Sequence, residues 1–129
     1  MSINQRYFSE AVCAIVVYDV TDRSSLSKAT TWLAMVDQFC PENTLKVLVG
    51  NKIDLYQDRN VSRQDAERFV QENSIDLHFE VSAKAGTGIR EMIHEVSQTI
   101  SDRASIMREI LDEDYKQFQL EANEQDIKR

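Results

Sequence analysis

The sequence predicts an α/β fold with about three parallel strands, flanking helices and a long C-terminal helix. Three short apolar runs, at residues 11–20, 45–50 and 77–81, have the length and the β-branched content of buried strands. Segments with apolar residues at helical spacing separate the runs. The resulting order β-α-β-α-β-α indicates right-handed crossovers and a parallel sheet.

The three predicted strands differ in the strength of their signal. Residues 11–20 are almost continuously apolar, and residues 45–50 read Leu-Lys-Val-Leu-Val-Gly. The run at 77–81 is weaker and gains support from its place in the alternating order.

Two helices are predicted between the strands. The first covers residues 24–40, and Pro41 ends it because proline cannot continue a helix. The second opens at a capping box formed by Ser62 and Asp65, where the serine hydroxyl satisfies a free backbone N–H of the first turn. Apolar residues recur every three or four positions in each helix, at Leu26, Ala29, Leu33, Val36 and Cys40 in the first and at Ala66, Phe69 and Val70 in the second.

The last segment starts near Gly88 and is predicted to be helical to about Ala122. It is longer than a three-stranded sheet can cover, which leaves two interpretations. In one, a docked helix of three or four turns is followed by a mobile acidic tail. In the other, the distal half pairs with a partner helix. We therefore expect a domain over residues 1–100 and a helical extension or acidic tail over residues 101–129.

Composition narrows the range of partners. The chain has 129 residues and a net charge of −7, so a nucleic-acid backbone is not expected as a partner. Cys13 and Cys40 form no metal-binding or redox pattern, which favours reduced thiols. The N-terminus has no secretory pattern, and the longest apolar run is too short to span a bilayer. These features predict a cytoplasmic protein.

Polar motifs follow two of the predicted strands. Because ligands bind beyond the carboxyl ends of parallel strands, both motifs would open on the same edge of the sheet. The candidate site residues are Asn51, Lys52 and Asp54 after the second strand, and Ser82, Ala83 and Lys84 after the third.

The chemistry of these residues suits guanine. The base offers two adjacent donors, N1–H and its amine, which the carboxylate of Asp54 would accept, beside an O6 acceptor that the Ala83 N–H would bind. The stem of Lys52 would lie along the base, and the amide of Asn51 would tie the two loops together. The simpler alternative is that Asn51 and Asp54 only form a turn.

These motifs resemble the C-terminal part of a Ras-superfamily small GTPase, most closely the Rab branch. Further likeness lies in Trp32 and in the stretches at residues 17–22, 47–55 and 80–84. The resemblance covers about residues 5–100. It implies a truncated P-loop-NTPase-type G domain, guanine-binding roles for the six residues named above, GTP or GDP as ligand with Mg²⁺, and a family role in vesicle trafficking. It also implies Rab-type effectors or regulators as protein partners.

Other family motifs do not occur in this sequence. No stretch fits Gly-x-x-x-x-Gly-Lys-Ser/Thr, the segments of the magnesium-binding threonine and of Asp-x-x-Gly are absent, and Asn4 stands where the catalytic glutamine would align. No catalytic or metal-binding residue is therefore assigned. We expect weak nucleotide binding, and GTP hydrolysis by this chain alone is not expected. The ending Lys128-Arg129 carries no prenylated cysteine, so no lipid anchor of its own is expected, and any endomembrane association would be peripheral, through partners.

Two functional classes remain open, and a third has little support. The chain is either a Rab-like small-GTPase relative or a non-catalytic interaction module. In the second case it would act through its long helix or through the exposed edge of the first strand, which also allows self-association. An unrelated α/β enzyme is disfavoured because His78 and His94 stand apart from any catalytic pattern.

Overall fold

The computed structural model describes residues 5–128 and contains one three-stranded parallel sheet in the order β1-β2-β3. The strands are β1 (Cys13–Asp19), β2 (Leu45–Asn51) and β3 (Leu77–Glu80). This sheet confirms the predicted fold class. The first strand is shorter at both ends than its apolar run, because residues 11 and 12 lie in the approach to the sheet and Val20 lies just past the last pair of the ladder.

The register brings the ends of the strands together. β1 pairs with β2 from Cys13 opposite Leu45 to Asp19 opposite Asn51, and β2 pairs with β3 up to Gly50 opposite Glu80. All three carboxyl ends therefore lie at one edge of the sheet, the edge at which ligands bind in parallel α/β folds.

The helices follow the predicted order with small shifts. They are α1 (Gln5–Ser9), α2 (Arg23–Phe39), α3 (Arg63–Glu72) and α4 (Ile89–Ile127), and a 3₁₀ turn covers Tyr56–Asp58. The sequence does not predict α1 or the 3₁₀ turn, because both elements are too short to show a periodic pattern. Ser62 is the N-cap of α3, and its hydroxyl accepts from the backbone N–H of Asp65 at 3.0 Å, as the capping box predicts.

The main core lies between the sheet and the helices α2 and α3. Alternate residues of β1 point into it, because successive side chains of a strand face opposite sides. Its members are Val16, Tyr18, Val20, Leu26, Ala29, Leu33, Leu48, Val61, Ala66 and Ile75. On the other face of β1, Ile15 and Val17 stay 51% and 57% exposed.

The helix α4 ends at Ile127, about five residues beyond the end that its apolar pattern predicts. The chain divides after Val96 into two compact units. In the first unit, Val96 is the buried residue of α4. In the second, every residue that the structure describes is helical or in the final turn, and most are exposed.

Candidate functional site

The two polar loops predicted from the sequence lie side by side at the carboxyl edge of the sheet. Asn51 is the last residue of β2, and Ser82 follows the end of β3 by two positions. Backbone hydrogen bonds connect the first residues of the two loops. The N–H of Val81 donates to the carbonyl of Gly50 at 2.7 Å, and the N–H of Ile53 donates to the carbonyl of Val81 at 3.2 Å. The predicted juxtaposition of the two motifs is therefore present.

Asn51 links one loop to the other. Its Oδ1 accepts from the backbone N–H of Ala83 at 3.0 Å, which is the tie that the sequence analysis assigned to this amide. The same bond occupies the N–H that was assigned to guanine O6. A base that binds here would have to share or displace this bond, so the role of Ala83 toward O6 stays a prediction.

The carboxylate of Asp54 is oriented by Ser82. The Ser82 hydroxyl donates to Oδ1 of Asp54 at 2.8 Å and accepts from the backbone N–H of Ala85 at 3.0 Å. Ser82 is fully buried, whereas Asp54 is exposed. A carboxylate offers about four lone-pair positions, so acceptor capacity remains on both oxygens of Asp54.

Lys52 is fixed at the opposite side of the same loop. Its backbone has φ of 70°, a left-handed conformation that non-glycine residues seldom adopt, and its Nζ lies 2.7 Å from Oδ2 of Asp19. Thr21 also donates to Asp19, through its backbone N–H at 2.8 Å and its hydroxyl at 2.7 Å. The long side chain is thus anchored across the strand ends.

The electrostatics of this pair favour both charged forms. Burial alone would raise the pKa of the Asp19 carboxyl, but the hydrogen bonds from Lys52 and Thr21 outweigh it, and the pKa is lowered. The hydrogen bond to Asp19, together with its charge, raises the pKa of the Lys52 amine. The pair is therefore ionised over the whole neutral range.

The loop after β3 is closed on itself. Ser82 and Thr87 exchange two backbone hydrogen bonds, each 3.0 Å long, which fold residues 82–87 into a compact turn. Gly88 ends it with φ of +76°, and a Cβ there would lie 3.0 Å from the carbonyl oxygen of Glu80. Lys84, the last of the predicted site residues, is exposed on this turn.

Asp19 is a further residue of the candidate site, to which the motifs in the sequence assign no role. The sequence nevertheless contains a signal that places Asp19 near the two loops. Asp19 is the last polar residue of its apolar run, and in a parallel sheet in register it falls at the same edge as Asn51. Asp22, three residues further along, caps α2 by accepting from the N–H of Ser24 at 2.9 Å.

The described residues place polar groups at the carboxyl edge of the sheet and form none of the clusters typical of a metal centre. The polar groups are the carboxylate of Asp54, the amide of Asn51 and the amine of Lys52, each held by a contact with a neighbouring segment. Between residues 5 and 128, no three His, Cys, Asp or Glu side chains are grouped so that they would hold a metal ion. The same stretch has no helix that is both long and apolar enough to cross a membrane.

A parallel sheet with these two loops at its carboxyl edge is an α/β architecture of the G-domain type. The sequence profile of the Ras family matches residues 1–102, and the chain belongs to this family.

Its relatives carry Rab or related names. The chain is 38% identical over 100 residues to the GTP-binding protein ypt5 of Schizosaccharomyces pombe, a match that covers 77% of this chain and 47% of the relative. It is 36% identical over 99 residues to the Ras-related protein Rab-2B of Dictyostelium discoideum, over 77% of this chain and 48% of that protein. The Ras-related protein Rab-17 of Mus musculus is 36% identical over 104 residues, or 80% and 48% of the two chains. The chain thus spans about half the length of the curated relatives that it matches.

Proposed function

We propose that this Rab-like chain recognises the guanine base of GTP or GDP through the loops at residues 51–54 and 82–84. The observation that carries the proposal is the pair of side-chain bonds between the loops, from Ser82 to Asp54 and from Ala83 to Asn51. These bonds restrict the side chains of Asp54 and Asn51, so ordering these two groups on binding costs less entropy.

Asp54 supplies the specificity in this proposal. Its carboxylate accepts the N1–H and the exocyclic amine of guanine together. Adenine presents an acceptor at N1, so the carboxylate would face a lone pair and lose its partners, which costs more than one missing bond. Lys52, held by Asp19, covers one face of the ring with its methylene groups.

Binding of the base alone is expected to be weak. Lys52, Asp54, Ala83 and Lys84 are all exposed, so water competes for each contact. A ligand of about a dozen contacting atoms gains little once its lost freedom is counted. We expect a dissociation constant on the order of 1 mM, equivalent to roughly −4 kcal/mol.

A base-swap experiment tests this proposal. Affinities for GMP, IMP, AMP and XMP would be measured by calorimetry, with the shared ribose phosphate as the internal control. The wild type should prefer GMP over AMP by about tenfold or more, since the lost pair of bonds is worth at least ~1.4 kcal/mol. Asp54→Asn should weaken GMP binding and favour XMP, because the amide donates to the carbonyl that replaces the guanine amine.

Asp58→Asn is the matched control. It makes the same chemical change on an exposed aspartate of the neighbouring 3₁₀ turn. It should leave the order of the four nucleotides unchanged. Equal affinity of the wild type for GMP and AMP, or the same effect from both substitutions, would contradict guanine recognition.

The wider role follows from the family resemblance and belongs to the same proposal. We propose a small-GTPase-related part in vesicle trafficking, with Rab-type effectors or regulators as partners and peripheral, partner-dependent association with endomembranes from the cytoplasm. Mg²⁺ would accompany the phosphates in the family, and no residue described here is assigned to it. Residues 1–100 would form the functional domain and residues 101–129 its helical extension.

A second candidate function, protein binding through the edge of β1, has a specific observation in its favour. β1 pairs only with β2 among the described residues, and Ile15 and Val17 are exposed on it. A groove of about 310 Å³ lies between α1, β1 and α2, lined by apolar side chains that include Phe8 and Trp32. Such an edge recruits an additional strand, either from another protein or from a second copy.

A lysine on the edge tests this second candidate. Val17→Lys should weaken association through β1, because a charged side chain on an edge strand disfavours the addition of another strand. Gln64→Lys adds the same charge on an exposed position of α3 and serves as the control. Unchanged association of Val17→Lys, measured by sedimentation, would exclude the edge as the binding surface.

A further inference from the structure

The distal part of α4 carries an apolar stripe that the guanine site does not use. Residues 109–127 lie within this helix and belong to the second compact unit. Four large apolar side chains there recur at helical spacing and are 47–67% exposed. They are Ile110, Leu111, Tyr115 and Phe118. At about 100° per residue they fall within about 140° of the helix circumference, the width of a face that packs against another element. These four residues are called the distal stripe below.

Two carboxylates project from within the distal stripe, one heptad apart. Asp114 and Glu121 both fall inside the arc of the four apolar residues. No residue three or four positions from either of them is basic, so α4 itself does not supply the ion pair that would offset their charge. The Nε2 of Gln117 donates to Glu121 at 3.0 Å, a bond from a neutral amide that leaves the carboxylate charged.

The charge around the distal stripe is also negative. Residues 109–127 contain seven acidic residues and one basic residue, a net charge of −6. The basic residue, Lys116, projects from the side of α4 opposite the distal stripe. Glu124 and Asp126 stand in the last turn of the helix, where the helix dipole already places partial negative charge. A cationic partner would therefore relieve an unfavourable charge distribution on the stripe and at the end of the helix.

We propose that the distal stripe binds a basic amphipathic helix of another protein, which carries two lysines or arginines one heptad apart within its own apolar stripe. The two cations face Asp114 and Glu121, and the apolar residues of the partner pack against Ile110, Leu111 and Phe118. Charged residues within an apolar helix interface select the partner, because a helix without the complementary charges leaves them unpaired.

Charge disfavours a second copy of the chain as the occupant. A parallel copy places Asp114 against Asp114 and Glu121 against Glu121. An antiparallel copy centred on residues 109–127 places Asp114 against Glu121, again two carboxylates. An antiparallel copy centred between Met107 and Leu111 sets Arg108 of one chain beside Arg108 of the other.

Charge disfavours a lipid surface for a related reason. Helices that lie on membranes carry lysine and arginine on their polar face, where they meet anionic headgroups. Residues 109–127 carry carboxylates instead. A basic helix is the occupant that complements both the apolar residues and the charges of this segment.

Peptide binding to the full-length chain tests the proposal. The probe is a labelled synthetic helix of about 20 residues, with leucine along one stripe and lysine at two stripe positions seven apart. Fluorescence anisotropy should give a dissociation constant on the order of 10 μM. The same peptide with glutamate in place of the two lysines should bind at least about tenfold more weakly, and so should a scrambled peptide of the basic composition.

Charge reversals locate the binding on α4. Asp114→Lys and Glu121→Lys should each weaken binding of the basic peptide at least about fivefold and strengthen binding of the glutamate peptide. Glu109→Lys makes the same change of net charge on the opposite side of α4 and is the matched control. The gain of binding for the glutamate peptide is a readout that loss of folding cannot produce.

An apolar pair of variants tests the stripe itself. Phe118→Gln should weaken binding of the basic peptide at least about fivefold, because it removes a side chain that packs against the partner. Leu120→Gln is the control, since Leu120 is exposed to a similar degree, 60% against 67% for Phe118, but projects from the other side of the helix. Circular dichroism of every variant checks that α4 stays helical.

Several results would overturn the proposal. These are no binding of the basic peptide up to about 1 mM, equal binding of the three peptides, or equal effects of the variants on and off the stripe. Sedimentation that shows self-association of the wild type, lost in Phe118→Gln, would assign the stripe to a second copy. Binding to phosphatidylcholine vesicles that Phe118→Gln removes would assign it to lipid.

Discussion

At the scale of single residues, two charged side chains of the candidate site are held in place by neighbouring residues. Asp19 holds Lys52 by a 2.7 Å ion pair, and Ser82 holds Asp54 by a 2.8 Å hydrogen bond. In both cases a residue at or just beyond the end of a neighbouring strand orients a side chain in the loop that follows β2. The sheet edge therefore sets the position of groups that would otherwise sample many rotamers.

Asp19→Asn is expected to destabilise the chain modestly. The pair is partly exposed, with 50% of the Lys52 side chain and 23% of the Asp19 side chain accessible, so solvent screens it. The loss should be about 1 kcal/mol at neutral pH. Thermal unfolding of the wild type and the variant measures it, and Asp58→Asn is the control.

The pH dependence of that loss has a definite sign. The pKa of Asp19 is lowered in the folded chain. Its contribution to the free energy of unfolding is therefore complete above the pKa of the unfolded chain, and it is lost as the pH falls through the pKa of the folded chain. The pKa of Lys52 is raised in the folded chain. Its contribution to the free energy of unfolding is therefore complete below the pKa of the unfolded chain, and it is lost as the pH rises through the pKa of the folded chain. The difference between wild type and Asp19→Asn should be constant near neutrality and shrink at both extremes. A difference that grows in acid would contradict this ion pair.

Ser82→Ala should have a dual effect. It removes the bond to Asp54 and the acceptor for the N–H of Ala85, at a cost of about 1 kcal/mol in unfolding free energy. It also releases the carboxylate, which should weaken GMP binding severalfold. Ser24→Ala, which removes an exposed hydroxyl that donates to Asp22, is a control for stability without a change in binding. An equal loss of GMP affinity in both variants would show that Ser82 does not orient Asp54.

At the scale of elements, close packing at the end of β2 positions the first loop. A Cβ on Gly50 would lie 2.6 Å from the hydroxyl of Tyr18 on the neighbouring strand. That hydroxyl is 3.1 Å from Nε2 of His78, and burial, followed by the charge of Glu80, raises the pKa of Tyr18 to about 12. Arg59 forms an ion pair with Glu80 on the same strand as His78. The carboxyl half of the sheet is therefore tightly filled just before Asn51.

Gly50→Ala should accordingly destabilise the fold by about 1–3 kcal/mol, since Tyr18 has no free space to move into. Chemical denaturation measures the effect. A double-mutant cycle with Tyr18→Leu should recover a coupling energy of about 1 kcal/mol, because the smaller side chain relieves the contact. Additive effects in the cycle would mean that the cost arises elsewhere.

Physical reasons also explain how much of the structure the sequence could predict. Long apolar runs and helical periodicity predicted the sheet and the three long helices, because burial on one face leaves a regular pattern. Short helices and the ends of helices are harder to predict from the sequence. α1 is too short for a period, and α4 continues past Ala122 although its pattern weakens there. In the site, residue types and strand order placed both loops. The occupation of the Ala83 N–H by Asn51 and the anchoring of Lys52 by Asp19 depend on distances between chain segments that no local pattern contains.

At the scale of the whole molecule, the chain combines the carboxyl edge of the sheet, where we propose guanine recognition, with an exposed apolar edge at β1. With a net charge of −7, long-range repulsion opposes association, and salt should weaken that repulsion. Association through the edge of β1 should therefore strengthen with added salt, because the repulsion between the chains is its main electrostatic effect.

The central claim is that the loops at residues 51–54 and 82–84 read guanine, and backbone amide NMR during a titration with GMP tests it most directly. The account predicts saturable shifts with a midpoint of about 1 mM, concentrated on the amides of Lys52, Asp54, Ala83 and Lys84, with much smaller shifts for AMP. Shifts that are equal for GMP and AMP, or that spread over the surface without involving these loops, would contradict it.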